Sequence, residues 1–396
     1  MHSLIFRKGL NLKDEVAESL ARDYHCQIVD QIKAAGYQRQ TGRLMVRLAK
    51  EFGFCYGVDR AVDYAYQTRK RFPDQTVYLT GEIIHNPHVN TRLRAAGIRF
   101  LSDSGESIDQ LVPDDVVILP AFGVTVHELE TLDRLGCTLV DTTCGSVLNV
   151  WKNVRRYAKD GYTAIIHGKV HHEETQATAS QARSFSNGRY LIVLDHDEAT
   201  ILCDYIRGDV SLETFMSTFS GTISPEFNPE IDLQRVGLAN QTTMLMSESL
   251  EIAEMIKQAI IDRYGNGELS DHYRSFETIC SATQDRQDAI QTLLDEDAFD
   301  FVIVIGGYNS SNTKNLARIC ADRVLTYHIA DPSCLKSAVE LRHRPSNTPP
   351  HLLTESTADS WLPPNGPLSV GVTAGASTPD NIVGQIIDRL TELACP

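Results

Sequence analysis

Residues 301–315 read FVIVIGGYNSSNTKN, an apolar run that meets two glycines and then a turn rich in amides and hydroxyls. An apolar run of this length predicts a buried strand, and the polar residues after the glycines predict the start of a helix. The stretch LSVGVTAGASTPD at 368–380 has the same order of strand, glycine, hydroxyl and helix. Strand–turn–helix units of this kind are typical of parallel sheets.

The same rhythm occupies the chain from about residue 43 onward. Further strand-like runs are VYLT (77–80), VVILP (116–120), CTLVD (137–141), TAIIHG (163–168), YLIVLD (190–195), RVGLAN (235–240) and RVLTYHIA (323–330). Helical periodicity fills the gaps, for example in 246–264, 283–295 and 378–394. We therefore predict an α/β fold with mostly parallel sheets.

Changes in composition suggest where the chain divides. We predict an N-terminal extension (1–42), three α/β domains (43–141, 142–275 and 276–367) and a C-terminal strand–helix segment (368–396) that completes the site. Two stretches interrupt the rhythm, a Ser/Thr/Phe-rich one at 204–234 and a proline-rich one at 343–367. Both are predicted to be surface insertions rather than independent domains.

The charge balance restricts the partners of the chain. Among 396 residues, 37 are Lys or Arg and 52 are Asp or Glu, so the formal net charge is -15. This argues against a nucleic-acid surface, and an anionic ligand would have to be held by local donors. No apolar run approaches the roughly 20 residues of a membrane span. Early acidic residues disfavour a transit peptide, and we expect a cytoplasmic protein.

Nine cysteines are present, with wide spacings and no C-x-x-C pair. An odd number in this arrangement makes a disulfide framework improbable and excludes a classical zinc finger. Cys55, Cys144 and Cys280 each fall where a strand gives way to a helix, and a helix N-terminus stabilises a thiolate.

Three such thiolates would suit an iron–sulfur cubane, although spacing alone supports small packed residues equally well. The other six are interpreted as packed or end-segment residues: Cys26, Cys137, Cys203, Cys320, Cys334 and Cys395.

Several polar turns are candidates for binding an anion. EIIHNP contains His85, IIHGKVHHEET contains His171, His172, Glu173 and Glu174, and NQTT contains Thr242 and Thr243. The turns described first add Asn309, Ser310, Ser311, Asn312 and Ser377. The HHEE segment is open to three interpretations: a solvated loop, a proton donor beside a phosphate-binding imidazole, or a weakly supported metal site. Each glycine–hydroxyl turn alone is explained by helix capping, but several in one chain favour a diphosphate held mainly by neutral donors.

Taken together and in this order, GFCYGVDRA, EIIHNP, DTTC, HHEE, NQTT, ICSATQDRQ, NSSNT and GVTAGASTPD resemble the hydroxymethylbutenyl diphosphate reductases. The extension and the insertions resemble the longer plant and cyanobacterial branch. The resemblance implies three α/β domains around a central four-iron cluster. It also implies reductive dehydroxylation of the allylic diphosphate to isopentenyl and dimethylallyl diphosphates, the last step of the methylerythritol phosphate pathway.

The resemblance also implies roles for residues. Cys55, Cys144 and Cys280 would hold one [4Fe-4S] cluster per chain, Glu173 with Thr242 would deliver protons, and ferredoxin or flavodoxin would supply electrons to a monomer or homodimer. Substrate contacts would come from His85, His171, Thr242, Ser310, Asn312 and Ser377, with Ser311 beside them.

One position departs from the family pattern. Many bacterial members have histidine in an AHGV turn where this chain has Phe122, and a phenyl ring cannot donate to phosphate. His88 and His127 are candidates to compensate. Three other functions stay open: an iron–sulfur dehydratase without net electron transfer, a non-enzymatic redox sensor, and a zinc hydrolase.

Overall fold

The computed structural model describes residues 4–276, 279–349 and 352–395, so parts of the predicted extension and of the third predicted domain lie outside the described residues. The chain forms two compact units. The first comprises Met1–Arg7 with Leu101–Cys280, and the second comprises Lys8–Phe100 with Ser281–Pro396. The finer division into three domains stays a prediction.

The first unit contains two groups of parallel strands. Ile5–Phe6 pairs with Thr138–Asp141, which pairs with Val116–Leu119. A four-stranded parallel sheet has the order Tyr273–Ser275, Val236–Asn240, Thr163–His167, Tyr190–Val193. The helices of this unit are Leu101–Ser104, Val126–Leu135, Gly145–Lys159, Glu173–Ala182, His196–Arg207, Leu212–Phe219, Pro229–Asp232, Met246–Tyr264 and Leu269–His272. Short 3-10 turns are Ile108–Gln110 and Asn266–Glu268.

The second unit is built on a five-stranded sheet. Its order is Thr326–Ile329, Phe301–Ile305, Leu368–Ala374, Leu44–Leu48, Gln38–Thr41, and only the last strand runs antiparallel to its neighbour. Val77–Leu79 pairs in parallel with Ile98–Phe100, and Glu340–His343 forms an antiparallel hairpin with Ser356–Asp359. The helices are Lys13–Tyr24, Gln27–Ala34, Tyr56–Arg71, Pro87–Ala95, Ser281–Glu296, Ser311–Ala321 and Asp380–Ala394, with a 3-10 turn at Pro332–Cys334.

The strand Phe301–Ile305 shows why continuous apolar runs form these sheets. Phe301, Ile303 and Ile305 belong to one hydrophobic cluster, whereas Val302 and Val304 belong to another. Successive side chains of a strand point to opposite faces, so both faces of this sheet are covered, as is usual for parallel sheets. The prediction of a mostly parallel α/β fold is confirmed.

Two predicted insertions are more integrated than their composition suggests. In the stretch 204–234, Phe215 and Phe219 are completely buried in the core of the first unit, so this stretch is not simply a surface insertion. In the proline-rich stretch, Trp361 is buried in the core of the second unit. None of the helices within the described residues combines the length and the apolar character needed to cross a membrane.

Candidate active site

Three neighbouring parallel strands of the second unit end at one edge of its sheet. Leu44–Leu48 leads to Cys55, Phe301–Ile305 leads to the turn 306–310, and Leu368–Ala374 leads to the turn 375–379. Carboxyl ends of parallel strands are the usual ligand sites of α/β sheets. The backbone N–H of Cys55 donates to the carbonyl of Ala376 at 3.2 Å, which joins the first of these turns to the last.

His85, Ser310, Asn312 and Ser377, which we call the donor site, are brought together in this second unit. The hydroxyl of Ser377 donates to the carbonyl of His85 at 3.1 Å, and Asn312 Oδ1 accepts the N–H of Ala376 at 2.8 Å. Ser310 caps the helix Ser311–Ala321 through its hydroxyl. All four side chains are buried, as is the adjacent Ser311.

A glycine permits this close assembly. A Cβ at Gly307 would lie 2.7 Å from the carbonyl oxygen of His85, closer than carbon and oxygen can approach without a shift of the backbone. The sequence pattern of paired glycines before the hydroxyl turn therefore reflects a steric need, because any side chain here would push the 306–310 turn away from His85.

Glu82 and Asn309 support His85. Asn309 is one of the candidate residues from the sequence, whereas Glu82 is not. Glu82 Oε2 lies 2.8 Å from His85 Nδ1 and accepts from Asn309 Nδ2 at 2.8 Å. A carboxylate can only accept, so Nδ1 of His85 carries the proton and the ring orientation is fixed. Glu82 precedes His85 by three residues in GEIIHNP. This spacing is the feature of the sequence that could have indicated their contact.

One buried donor of the donor site lacks a partner. Because Asn312 Oδ1 accepts a backbone N–H, its Nδ2 is the donor end of the amide. Nδ2 is buried and has no hydrogen-bond partner within residues 4–276, 279–349 and 352–395. An unsatisfied buried donor costs about 1–3 kcal/mol, and a bound anion would remove that cost.

In the first unit, two of the three predicted cluster cysteines share one helix N-terminus. Cys144 is the N-cap residue of the helix Gly145–Lys159. Ser146, the second residue of this helix, donates its hydroxyl to Cys280 Sγ at 3.4 Å. Both thiols therefore lie at the N-terminal end of one helix, where its dipole is positive.

The remaining cysteines have different surroundings. Cys137, Cys203, Cys320 and Cys334 are buried, whereas Cys55, Cys144 and Cys280 are partly exposed. Burial raises the pKa of Cys203 to about 11 and that of Cys320 to about 12, and it also raises the pKa of Cys137. These thiols stay protonated at neutral pH and are poor metal ligands.

Thr242 connects a buried carboxylate to the Cys280 segment. Its backbone N–H donates to Glu174 Oε1 at 2.6 Å, and its carbonyl accepts the N–H of Cys280 at 3.3 Å. Glu174 is 1% exposed, whereas the side chain of the neighbouring Glu173 is 53% exposed. We call Cys144, Cys280, Thr242 and Glu174 the thiol–carboxylate site.

The HHEE segment divides into exposed and buried members. His171 and Glu173 are exposed, while His172 and Glu174 are buried. His172 Nδ1 accepts the N–H of Glu174 at 3.2 Å and caps the helix Glu173–Ala182. The resemblance assigns roles to His171 and Glu173 and none to the buried pair, because two equal letters in a row do not reveal which one faces inward.

Phe122, the departure from the family pattern, packs against this buried pair. Its ring meets the His172 ring edge-on, with 5.3 Å between centroids. Of the candidates for compensation, His127 is exposed in the helix Val126–Leu135, and His88 is half-buried, which lowers its pKa. Their compensating role stays a prediction.

Fold and site together define a mostly parallel α/β protein. At its strand ends lie cysteines, a buried carboxylate and neutral hydrogen-bond donors suited to an anion. The sequence matches the model of the LytB protein family over residues 46–391. It is 46% identical over 391 residues to "4-hydroxy-3-methylbut-2-enyl diphosphate reductase" of Synechococcus sp. (strain CC9311), covering 98% of this chain and 95% of the relative. The chain therefore belongs to the LytB family, and the resemblance to these reductases is confirmed.

Solved structures agree with this assignment. A structure of (E)-4-hydroxy-3-methyl-but-2-enyl diphosphate reductase, described as the terminal enzyme of the non-mevalonate pathway, has a TM-score of 0.52 at 27% identity. The matched region covers 88% of this chain and 99% of the chain in that structure. The E-1-hydroxy-2-methyl-but-2-enyl-4-diphosphate reductase from Plasmodium falciparum, at 22% identity, has a TM-score of 0.62 with 87% of each chain covered and supports the fold.

Proposed function

We propose that this chain reduces 4-hydroxy-3-methylbut-2-enyl diphosphate to isopentenyl and dimethylallyl diphosphates, the last step of the methylerythritol phosphate pathway. Two electrons and two protons enter, the allylic C–O bond breaks, and the hydroxyl leaves as water. The observation that carries the proposal is the donor site, in which four polar residues from three distant segments are buried together. Family membership and the names of the relatives support the same reaction.

The donor site suits the diphosphate end of this substrate. The chain carries a formal net charge of -15, so a dianionic group needs directed local donors. The hydroxyl of Ser310 and the amide Nδ2 of Asn312 supply such donors, and the Ser377 hydroxyl would exchange the His85 carbonyl for a diphosphate oxygen. Glu82 holds His85 in orientation. The N-terminus of the helix Ser311–Ala321 adds backbone N–H groups and a favourable dipole.

Cys55, Cys144 and Cys280 are proposed to hold one [4Fe-4S] cluster per chain. The donor set fits, because the thiols of Cys144 and Cys280 lie at one helix N-terminus and Cys55 is the N-cap residue of the helix Tyr56–Arg71. Arg286 strengthens the Cys55 turn by donating two hydrogen bonds to the carbonyl of Gly53, at 2.8 and 3.2 Å. When bound, the cluster supplies electrons one at a time and a Lewis-acidic iron for the hydroxyl oxygen.

Protons are proposed to reach the substrate through the Glu173–Glu174 pair and Thr242. Glu173 is the donor predicted from the sequence. Glu174 is the carboxylate that is buried against Thr242, whose backbone N–H donates to its Oε1. His171 is retained as a proposed substrate contact, with the buried His172 beside it.

An external one-electron carrier must restore the electrons after each turnover, and we assign this role to ferredoxin or flavodoxin. A dehydratase would make the same use of an open iron but would require no reductant. A sensor would have no need for the buried polar turns of the donor site.

An anaerobic experiment tests the proposal. The purified protein is expected to be brown, to contain close to four irons and four sulfides per chain, and to convert the allylic diphosphate only when a chemical reductant is present. Turnover without reductant would establish the dehydratase instead. A colourless zinc protein would refute the cluster.

A further inference from the structure

Tyr308 lies in the turn 306–310, directly before Asn309 and Ser310. Its side chain, however, contacts residues outside the donor site. The hydroxyl of Tyr308 donates to Glu355 Oε1 at 2.9 Å, and Cys334 Sγ lies 3.6 Å from the Tyr308 hydroxyl oxygen. The ring packs edge-on against His328, with 5.1 Å between centroids. The side chain of Tyr308 is therefore fixed at its tip and along its ring.

His328 holds the beginning of the same turn. This residue is 1% exposed on the strand Thr326–Ile329, and its Nε2 lies 3.0 Å from the carbonyl oxygen of Gly306. A carbonyl only accepts, so Nε2 carries the proton and donates. Burial lowers the pKa of His328 to about 3, which keeps the ring neutral and this single orientation in place.

Glu355 is itself anchored. It directly precedes the strand Ser356–Asp359, whose antiparallel partner Glu340–His343 carries Arg342. Arg342 Nη1 lies 3.0 Å from Glu355 Oε2, while Glu355 Oε1 accepts from Tyr308. The two carboxylate oxygens thus connect the hairpin of the proline-rich stretch to the 306–310 turn.

We propose that the Tyr308–Glu355 hydrogen bond is a positioning element that fixes the 306–310 turn for binding of the substrate diphosphate. This inference rests on the proposed function, because it presumes that Ser310 and Asn312 contact the diphosphate. Tyr308 and Glu355 are positioning residues and not catalytic ones. The proline-rich hairpin thereby acquires a role in substrate affinity.

The geometry explains why such an element is needed. The turn is built on Gly306 and Gly307, which have little intrinsic preference for one conformation. Asn309 must reach Glu82 and Ser310 must cap its helix at the same time. Small displacements of positioning groups are costly for a site that depends on directed hydrogen bonds. Because its side chain is held by Glu355 and His328, Tyr308 restricts the conformational freedom that the two glycines give to the turn.

The test separates affinity from turnover. Tyr308→Phe keeps the ring on His328 and removes only the hydroxyl. With saturating chemical reductant, this variant is expected to raise KM for the allylic diphosphate about fivefold, since a hydrogen bond to a charged acceptor is lost, while kcat stays within about twofold. The concentration of inorganic diphosphate that protects the variant from thermal unfolding should be about fivefold higher than for the wild type. This measurement reports binding independently of turnover.

Two further variants test the partner. Glu355→Ala removes the same hydrogen bond together with the Arg342 ion pair, so it should raise KM at least as much as Tyr308→Phe. Adding Tyr308→Phe to Glu355→Ala should change nothing further, because the hydrogen bond is already lost. Glu355→Gln keeps an oxygen that accepts from Tyr308 and should restore most of the affinity. Tyr66→Phe is the matched control, because Tyr66 also donates to a carboxylate of the second unit, Asp23 at 2.7 Å, but lies in no site turn.

The inference is overturned if Tyr308→Phe leaves KM and inorganic diphosphate binding unchanged, or if Tyr66→Phe shifts them equally. It is also overturned if the double variant is additive. A wild-type protein that binds inorganic diphosphate tightly but never reduces the allylic substrate would refute the proposed function, and the shift in diphosphate binding would still decide the role of Tyr308.

Discussion

The thiol–carboxylate site of the first unit and the donor site of the second unit contain different kinds of side chain. The former holds ionisable groups, two thiols and a buried carboxylate, whereas the latter holds hydroxyls and an amide around one histidine. Ionisable groups can ligate metal and transfer protons, and neutral donors can bind an anion without carrying charge themselves. Under the proposed function, most of the redox and proton chemistry would lie in the thiol–carboxylate site and most of the diphosphate recognition in the donor site. Cys55 of the second unit, as the third proposed cluster ligand, and His171 of the first unit, as a proposed substrate contact, are the exceptions.

The strongest way to break this comparison is to remove a thiol from the first unit. Cys280→Ser is expected to lose most of the iron and to lower turnover by more than about 100-fold, because a serine hydroxyl is a poor ligand for iron in a cubane. Iron content and the visible spectrum check it.

Cys203→Ser is the matched control, since Cys203 is buried in the core of the same unit. It should keep its iron and colour. A Cys280→Ser protein with full iron content would remove Cys280 from the ligand set.

The next largest effect should come from the carboxylate pair. Glu174→Gln is expected to lower kcat about 100-fold at unchanged iron content, because the buried proton donor next to Thr242 is lost. Single-turnover rates with a chemical reductant measure this directly.

Glu173→Gln sharpens the assignment. If Glu173 is the donor predicted from the sequence, its replacement should remove most turnover as well. A loss smaller than about tenfold would assign proton delivery to Glu174 alone, which is consistent with a side chain that is 53% exposed at position 173.

Changes in the donor site should act on affinity instead. Ser377→Ala is expected to raise KM about tenfold, with kcat within about threefold, because one directed donor to the diphosphate is lost. Ser369→Ala, on the strand that leads to the same turn, is the control and should leave KM unchanged. A Ser377→Ala protein with unchanged KM but reduced kcat would contradict the division between recognition and chemistry.

The smallest effect concerns acid stability. Each unit contributes to it a buried histidine whose pKa is lowered by burial. Burial lowers the pKa of His167 to about 4 and that of His328 to about 3. The folded protein binds these protons less readily than the unfolded chain, so stability is full above about pH 6.5 and falls as pH drops toward 4. Each group contributes a slope of up to about 1.4 kcal/mol per pH unit.

Urea unfolding between pH 7 and pH 4.5 measures this slope. His328→Gln should flatten it, because a glutamine can donate to Gly306 but does not titrate. An unchanged slope in His328→Gln would show that His328 is not responsible.

The strands were predictable because a strand buried on both faces leaves a continuous apolar run. FVIVI at 301–305 and LSVGVTA at 368–374 are strands at the predicted positions. The cysteine and hydroxyl turns were likewise visible, since turn residues follow strands at short distance. By contrast, the stretch 204–234 looked like an insertion because Phe215 and Phe219 occur among Ser and Thr without a clear period.

Long-range partners were not predictable from one sequence. Glu355 and Tyr308 are 47 residues apart, and no spacing rule links them. The inward orientation of Glu174 rather than Glu173 depends on where the helix Glu173–Ala182 begins, which a propensity pattern locates only to within a few residues. Site residues that act through a neighbour therefore require the folded chain.

The strand Gln38–Thr41 closes one side of the second unit's sheet by pairing antiparallel with Leu44–Leu48. A shortened protein restricted to the family-matched residues 46–391 would lack this strand and part of its neighbour. Residues 46–48 and the start of Leu368–Ala374 would then present unpaired backbone groups, which invites edge-to-edge aggregation. The strand Gln38–Thr41 thus protects this edge of the sheet, and recombinant versions that retain it should stay monodisperse.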